Sequence, residues 1–231
     1  MRYYTPYEDA LKQPHLLIAG ATGSGKSVLV NGLIYTALFK NPQKVQFILI
    51  DPKRVELVQY KRLPHTIVYA SEPPDMVNAL QKAMDICEQR YKRMQRKRLK
   101  KSQESDIYVI IDEYADLVTT NRKAVEPLIQ RLAQIGRAAN IHIILCTQSP
   151  IAKILSTNIK VNFDARFGLH TRSAQDSRNI LGVAGCETLP RYGYGYYMTP
   201  EGIRKLEIPL FTDEELTNSV NYWKPKLFGI F

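Results

Sequence analysis

The sequence lacks any apolar stretch long enough to cross a lipid bilayer, which takes about 20 consecutive residues. Its first residues, MRYYTPYEDALKQP, also lack the apolar core of a secretory signal peptide. These two absences predict a cytoplasmic chain with no membrane segment of its own. A membrane tether would have to lie outside this chain.

Cysteine is scarce. The chain has three, Cys87, Cys146 and Cys186, and no two are spaced as a Cys-x-x-Cys ligand pair. This pattern predicts a reducing compartment and no structural metal. Internal repeats, low-complexity tracts and Pro/Gly-rich linkers are also lacking. We therefore predict one domain over residues 1–231, with its core between about 14 and 216.

Acidic residues are outnumbered. There are 32 Lys and Arg against 22 Asp and Glu, a formal net charge of +10. Such an excess favours a polyanionic partner: nucleic acid, an acidic membrane surface or nucleotide phosphates. A solvated basic surface explains the same net charge. The clustering of the charges therefore has to distinguish it from a binding surface.

Apolar runs alternate with helical patterns along the chain. This alternation predicts an α/β fold with a mostly parallel central sheet and helices on both faces. The predicted strands are 15–19, 45–50, 66–70, 108–112, 141–146, 165–170, 194–198 and 203–208. The predicted helices are 27–39, 74–101, 124–139 and 173–181.

Between the first strand and the first helix, the sequence GATGSGKS matches the phosphate-binding pattern G-x-x-x-x-G-K-[ST]. Glycines let the backbone N–H groups surround a phosphate, and the helix N-terminus adds positive potential. We expect Lys26 to reach the β- and γ-phosphates of ATP and Ser27 to bind Mg²⁺. The alternative is a Gly-rich turn with an exposed lysine. The predicted nucleotide-binding residues are Gly20, Ala21, Thr22, Gly23, Ser24, Gly25, Lys26 and Ser27.

Two acidic residues follow the strand YVIID. Asp112 ends that strand and Glu113 comes next, so both are expected at the carboxyl edge of the sheet, where open α/β sheets bind ligands. Hydrolysis needs a carboxylate beside Mg²⁺ and a base that orients the attacking water. We assign these roles to Asp112 and Glu113. The alternative is a pair of solvated acids at a strand end.

Five ordered segments resemble the FtsK/SpoIIIE family of DNA translocases. They are PHLLIAGATGSGKS (14–27), IDPKRVELVQYKRLPH (50–65), VIIDEYADL (109–117), LIQRLAQIGRAANIHIILCTQSP (128–150) and Asp176-Ser177-Arg178. The resemblance covers about Pro14 to Leu216. It implies a RecA-like P-loop core that forms a hexameric ring around double-stranded DNA, with ATP sites between subunits.

The resemblance also implies roles for single residues. Arg137 resembles the arginine finger that reaches into a neighbour's site, although an arginine at a helix C-terminus also complements the helix dipole. Gln148 resembles the γ-phosphate sensor, although it can be a plain turn residue. Lys160 and Arg178 match basic family positions that face the pore. Ser149 departs from the family, which commonly has an arginine there that resembles a DNA contact.

Eight positive residues and no acid lie between positions 90 and 101. The group predicted to contact DNA is Arg96, Lys97, Arg98, Lys100 and Lys101. Like charges one turn apart oppose helix formation. The cluster is either a surface that follows DNA phosphates, with salt-dependent affinity, or a solvated helix end.

The sequence thus predicts an ATP-driven double-stranded DNA translocase. A phage packaging or conjugation ATPase would use the same chemistry with a different docking partner, in a capsid or a membrane, that the sequence does not identify. A type VII protein-secretion ATPase would move polypeptide, and its pore need not be basic. A non-catalytic nucleotide-binding module is disfavoured because Lys26, Asp112 and Glu113 are all present.

Overall fold

The computed structural model describes residues 5–223, which form helices around a single eight-stranded sheet. The strands are β1 (His15–Ala19), β2 (Val45–Ile50), β3 (Thr66–Ala70), β4 (Asp106–Ile111), β5 (Ile141–Thr147), β6 (Ala165–Gly168), β7 (Tyr194–Thr199) and β8 (Gly202–Glu207). The ends of the predicted domain, residues 1–4 and 224–231, lie outside the described residues.

The strand order is β3-β2-β4-β5-β1-β6-β7-β8. The first six strands of that order are parallel, and β7 and β8 are antiparallel to their neighbours. β1 lies between β5 and β6, so the loops after β1, β4 and β5 all emerge at one carboxyl edge. The prediction of a mostly parallel sheet is confirmed.

Helices cover both faces of the sheet. They are α1 (Thr5–Leu11), α2 (Lys26–Lys40), α3 (Pro73–Lys97), α4 (Tyr114–Ile135), α5 (Thr157–Lys160), α6 (Ala174–Leu181) and α7 (Asp213–Trp223), with 3-10 turns at Val58–Tyr60, Gly136–Ala139 and Cys186–Thr188. One apolar core lies between the sheet and α3 to α6. The other lies between the sheet and α1, α2 and α7. All three cysteines are buried and form no disulfide.

Two helix boundaries differ from the prediction. α4 begins at Tyr114, ten residues before the predicted start, and has a break in its helical backbone at Asn121. The carboxylate of Glu113 caps this start by accepting from the N–H of Ala115 at 3.3 Å. Because Leu117 and Val118 are buried, packing holds the extra turns that the sequence pattern does not reveal.

α3 ends at Lys97, before the predicted 101. Arg98 has a left-handed backbone (φ 53°), and the N–H of Leu99 returns to the carbonyl of Met94 at 2.9 Å. Met94 is the last buried residue of the helix. Most residues beyond it are positively charged, and like charges one turn apart oppose a further turn of helix.

No helix within residues 5–223 is both long and apolar enough to cross a membrane.

Candidate functional site

The loop 20–25 joins β1 to α2 at the carboxyl edge of the sheet. Gly23 (φ 74°) and Gly25 (φ 91°) take the left-handed conformation that other residues rarely adopt, which lets the loop turn sharply into the helix. The N–H of Gly20 donates to the carbonyl of Thr147 at 3.3 Å, and the N–H of Ala21 to that of His170 at 2.8 Å. Backbone bonds to the ends of two neighbouring strands therefore hold the loop in place.

Lys26 begins α2 and is buried. Its Nζ donates to Asp112 Oδ1 at 2.6 Å and to the Asp112 carbonyl at 2.8 Å. Burial raises the pKa of the Asp112 carboxyl, and the Lys26 ammonium opposes that rise. For Lys26 itself, burial lowers the pKa, but nearby acidic groups including Asp112 outweigh it and leave the pKa raised. The two residues predicted to act together are in direct contact.

The other oxygen of Asp112, Oδ2, is buried and accepts no hydrogen bond from the described chain, and the hydroxyl of Ser24 in the loop is also buried and unpartnered. A buried carboxylate oxygen left without a donor is costly unless a cation or a bound molecule satisfies it. Ser27, partly exposed at the first turn of α2, supplies a hydroxyl to the same region. Hydroxyl, carboxylate and water oxygens are the ligands that Mg²⁺ prefers, so Ser27 and Asp112 fit this ion.

Glu113 is buried at the start of α4, against the end of β5. Its Oε1 accepts from the hydroxyl of Thr147 at 2.7 Å, and its Oε2 accepts from the N–H of Gln148 at 3.0 Å. The ammonium of Lys53 lies 3.6 Å from Oε2. These contacts hold the Glu113 carboxylate beside the phosphate loop. There, at the carboxyl edge of the sheet, it can act as a hydrogen-bond acceptor.

Gln148 follows β5 and reaches the phosphate loop directly. Its Oε1 accepts from the hydroxyl of Thr22 at 2.8 Å. Because its backbone N–H is held by Glu113, the residue links the two halves of the site. The predicted loop, acidic pair and amide therefore form one cluster.

The sequence reasoning assigned no role to two residues of this cluster. Asp51 follows β2 and is buried; its Oδ2 accepts from the N–H of Leu57 at 2.9 Å, and its Oδ1 has no partner within residues 5–223. Its charge contributes to the raised pKa of Asp112. Lys53 is the cation that faces Glu113. The sequence could have indicated Asp51 as a site residue, because Asp51 follows an apolar strand in the same way as Asp112.

Arg137 lies away from this cluster, at the opposite edge of the sheet. It is exposed in the 3-10 turn Gly136–Ala139 that leads into β5, at the amino edge of the sheet. β5 has 7 residues, which at about 3.3 Å each spans about 23 Å. An arginine side chain is shorter than that distance, so Arg137 does not reach the phosphate loop of its own chain.

Lys160 and Arg178 lie on adjacent elements. Lys160 is half-buried, and its Nζ donates to the carbonyl of Asn179 at 3.2 Å, which ties α5 to α6. Arg178 is exposed on α6. Ser149, at the departing position, donates its N–H to the hydroxyl of Thr147 at 3.1 Å.

The basic segment is not one charged helix face, which corrects the sequence interpretation. Arg90 is buried and donates to the carbonyls of Ala139 and Asn140, and Arg93 makes a double hydrogen bond to Glu104, 2.9 Å each. Six cations remain exposed, and the structure gives them no ion-pair partner among residues 5–223: Lys92, Arg96, Lys97, Arg98, Lys100 and Lys101. Since α3 ends at Lys97, the last three of these lie in the loop beyond it.

The two groups of candidate DNA contacts are apart. α3 packs on β2 and β3, whereas α6 packs on β6, and both helices lie on the same face of the sheet. β2 and β6 are separated by four strand spacings of about 4.8 Å, or about 19 Å. The structure therefore brings Lys160 and Arg178 into one region and the segment 96–101 into another.

Comparison with known proteins gives the family of this chain. The model of the FtsK/SpoIIIE family matches residues 5–106 and 98–152. The DNA translocase FtsK of Lactococcus lactis subsp. cremoris (strain MG1363) is 42% identical over 202 residues, covering 78% of this chain. This chain belongs to the FtsK/SpoIIIE family. The chain spans 27% of the length of that relative.

Two solved structures share the fold. The conjugation coupling protein TcpA of pCW3, in a monomer form with ATPgS, has a TM-score of 0.79 at 24% identity over 90% of this chain and 64% of its own. The cytoplasmic domain of the type VII secretion ATPase EccC of Thermomonospora curvata has a TM-score of 0.78 at 22% identity, over 92% and 28%. The predicted RecA-like fold, the family and the P-loop ATPase class are confirmed.

Proposed function

We propose that this chain hydrolyses Mg-ATP and uses the energy to move double-stranded DNA, as one subunit of a ring with ATP sites between subunits. The observation that carries the proposal is the joined cluster of Lys26, Asp112 and Glu113 at the mouth of the phosphate loop. A turn that only bound a phosphate would not need Glu113 buried and held by three donors.

The residues divide the chemistry between them. Mg-ATP, when bound, supplies the phosphoryl group and a metal that neutralises its charge. Lys26 has three ammonium hydrogens and can donate to phosphate oxygens while it keeps a bond to Asp112. Ser27 and Asp112 hold the ion and its water shell. Glu113 orients the attacking water and takes up its proton.

Gln148 senses the γ-phosphate in this proposal. Its amide is bonded to Thr22 of the loop, and its N–H to Glu113. A phosphate that took Thr22 or the amide as its own partner would break the bond between them. Gln148 therefore reports the state of the nucleotide to the segment 149–156, which leads to α5 and Lys160.

Arg137 completes the site of a neighbouring subunit. A planar cation that covers the γ-phosphate accelerates such reactions by about 10³–10⁵. Its exposure and its place at the amino edge suit a contact between chains rather than within one. The dipole interpretation predicts an effect on stability alone, so the two are separable by experiment.

Duplex DNA is the proposed polyanion. The net charge of +10, the five unpaired cations of segment 96–101, and Arg178 support it. The curated relative is named a DNA translocase. The likeness to a secretion ATPase shows the fold alone, at 22% identity, and a conjugation or packaging role would keep the same DNA chemistry.

The test is the ATPase rate of the full chain with and without linear duplex DNA, with a single strand and an unfolded polypeptide as comparison substrates. We expect strong stimulation by duplex only. Lys26→Ala removes the loop's phosphate contact and should abolish the rate under every condition. Stimulation by polypeptide but not by duplex would replace this proposal with a secretion motor.

A further inference from the structure

A cavity of about 310 Å³ opens beside the phosphate loop, outside the cluster described above. It is lined by Gly25, Val28, Tyr192, Gly193, Ile208 and Leu210. Gly25 and Val28 flank Lys26 and Ser27 at the start of α2, so the cavity borders the first turn of the phosphate-binding helix. The remaining lining residues come from the segments that precede β7 and follow β8.

The position of the cavity relative to a bound triphosphate follows from the sheet order. β4 and β5, which carry Asp112, Glu113 and Gln148, lie on one side of β1, and β6 to β8 lie on the other. In the proposed site the terminal phosphate would lie toward Asp112 and Glu113. The opposite end of a nucleotide therefore points toward β7 and β8, where the cavity is.

The lining carries two exposed large side chains in a row beside the loop. Tyr192 is 66% exposed and Leu210 is 70% exposed. Tyr192 lies over the loop, since a Cβ built on Gly23 would be 3.7 Å from its hydroxyl. An aromatic ring and an aliphatic side chain left open at the mouth of an apolar cavity are the surfaces against which a flat heterocycle packs.

The side chains that line the cavity offer few groups that could read the edge of a base. Apart from the Tyr192 hydroxyl, no lining side chain carries a polar atom. The N–H of Ile208 is used by the carbonyl of Gly193 at 2.8 Å. Pro209 has no N–H, and its carbonyl accepts from the hydroxyl of Tyr7 at 2.6 Å. These backbone groups are already committed.

We propose that this cavity receives the nucleobase by stacking on Tyr192 without reading its hydrogen-bonding edge, so that ATP and GTP are accepted almost equally. This inference rests on the proposed nucleotide site. A site built to bond a substrate group rejects an analogue that lacks it by about 10⁴–10⁵, whereas apolar contact discriminates by about 10–200-fold at most. Adenine and guanine have similar faces, and we expect dissociation constants within about tenfold.

The test measures binding to the full chain by titration calorimetry, with Mg-ATP, Mg-GTP and inorganic tripolyphosphate as the three ligands. Tyr192→Ala should weaken ATP and GTP by the same factor, roughly 5- to 50-fold, as expected for the loss of one base stack. Tripolyphosphate, which has no base, should bind wild type and variant alike. Tyr192→Phe should keep wild-type affinity, because it keeps the ring.

A matched control is Tyr222→Ala, an equally exposed tyrosine on α7. It should leave all three affinities unchanged. A wild-type preference for ATP over GTP above about tenfold, or equal nucleotide affinities for Tyr192→Ala and wild type, would overturn the inference. If Lys26→Ala leaves the affinity for tripolyphosphate unchanged, the nucleotide site itself is wrong, which is a separate result.

Discussion

The two edges of the sheet hold charge in opposite ways. At the carboxyl edge, Lys26, Asp112 and Glu113 are 4%, 1% and 2% exposed, and each bonds to another part of the same site. At the amino edge, Arg137 and segment 96–101 are exposed. The N–H of Ser102 donates to the carbonyl of Ala138 at 2.8 Å, so these two cationic segments are packed together.

This difference has a physical meaning. Buried charges persist only when they are paired and hydrogen-bonded, so the carboxyl edge is a preorganised site. An exposed cation is well solvated, so leaving it without an ion-pair partner costs little free energy. Such a cation remains available to bind a phosphate group of another molecule. The carboxyl edge is therefore preorganised within one chain, and we propose that a neighbour or DNA binds at the amino edge.

The largest expected effect comes from Arg137→Ala. If this side chain covers a neighbour's γ-phosphate, the DNA-stimulated turnover number should fall by about 10³–10⁵ while ATP still binds. Turnover and nucleotide affinity should be measured on the same preparation. Arg131→Ala, an exposed arginine of α4 two turns earlier, is the control and should keep its activity. Full activity of Arg137→Ala would shift the role to Arg178.

Glu113→Gln comes next in size. The amide keeps the shape, and its one oxygen can accept from both the Thr147 hydroxyl and the Gln148 N–H if it takes the place of Oε1, but it does not take up a proton, so turnover should fall by about 10²–10⁴ with ATP affinity kept. A single-turnover assay separates the two quantities. Glu88→Gln on the exposed face of α3 should behave as wild type. Wild-type turnover of Glu113→Gln would remove it as the base.

Some parts of the site could be predicted from the sequence, and others could not. The loop 20–27 and the acidic pair were predictable, because each is a local pattern next to an apolar strand. The bond from Gln148 to Thr22 joins residues 126 positions apart, and the cavity combines α2 with segments near 192 and 210. The distance between the two basic groups depends on strand order, which local patterns do not encode.

A third prediction concerns the amino edge of the sheet and the pH dependence of the free energy of unfolding. His15 begins β1, and burial lowers its pKa to about 3, with the charges of His142 and Arg137 adding to the effect. The unfolded chain takes up the proton near pH 6.5, and the folded chain does not. Stability should therefore fall as pH drops from about 6.5 toward 3, by about 1.4 kcal/mol per pH unit from this residue.

Urea unfolding across that pH range checks the slope. His15→Asn can still accept from the N–H of Ile143, which His15 Nδ1 does at 3.1 Å, and it has no proton to gain. The variant should show a shallower slope between pH 6.5 and 4. An unchanged slope would mean that His15 is not buried as neutral imidazole.

The smallest expected effect is on salt dependence. Each phosphate contact adds about 0.9 to the slope of log affinity against log salt. Replacing all five exposed cations of segment 96–101 by glutamine should reduce the slope for duplex by up to about 4.5, and Arg178→Gln by about 0.9. Filter binding of a short duplex at several salt concentrations gives both slopes. An unchanged slope in the first variant would make the segment a solvated helix end.

The central claim is that the amino edge of one subunit completes the carboxyl edge of the next, and mixing experiments test it most directly. Lys26→Ala and Arg137→Ala lie at opposite edges, whereas Lys26→Ala and Glu113→Gln lie at the same edge. In a random equal mixture of the opposite-edge pair, roughly one interface in four joins an intact loop to an intact finger. The same-edge pair restores no complete site.

The measurement is therefore the DNA-stimulated ATPase rate of each equal mixture, with mixed-ring formation verified by differently tagged subunits. We predict up to roughly one quarter of the wild-type rate for the opposite-edge pair and no recovery for the same-edge pair. Mixed rings of the opposite-edge pair that are no more active than those of the same-edge pair would contradict the account.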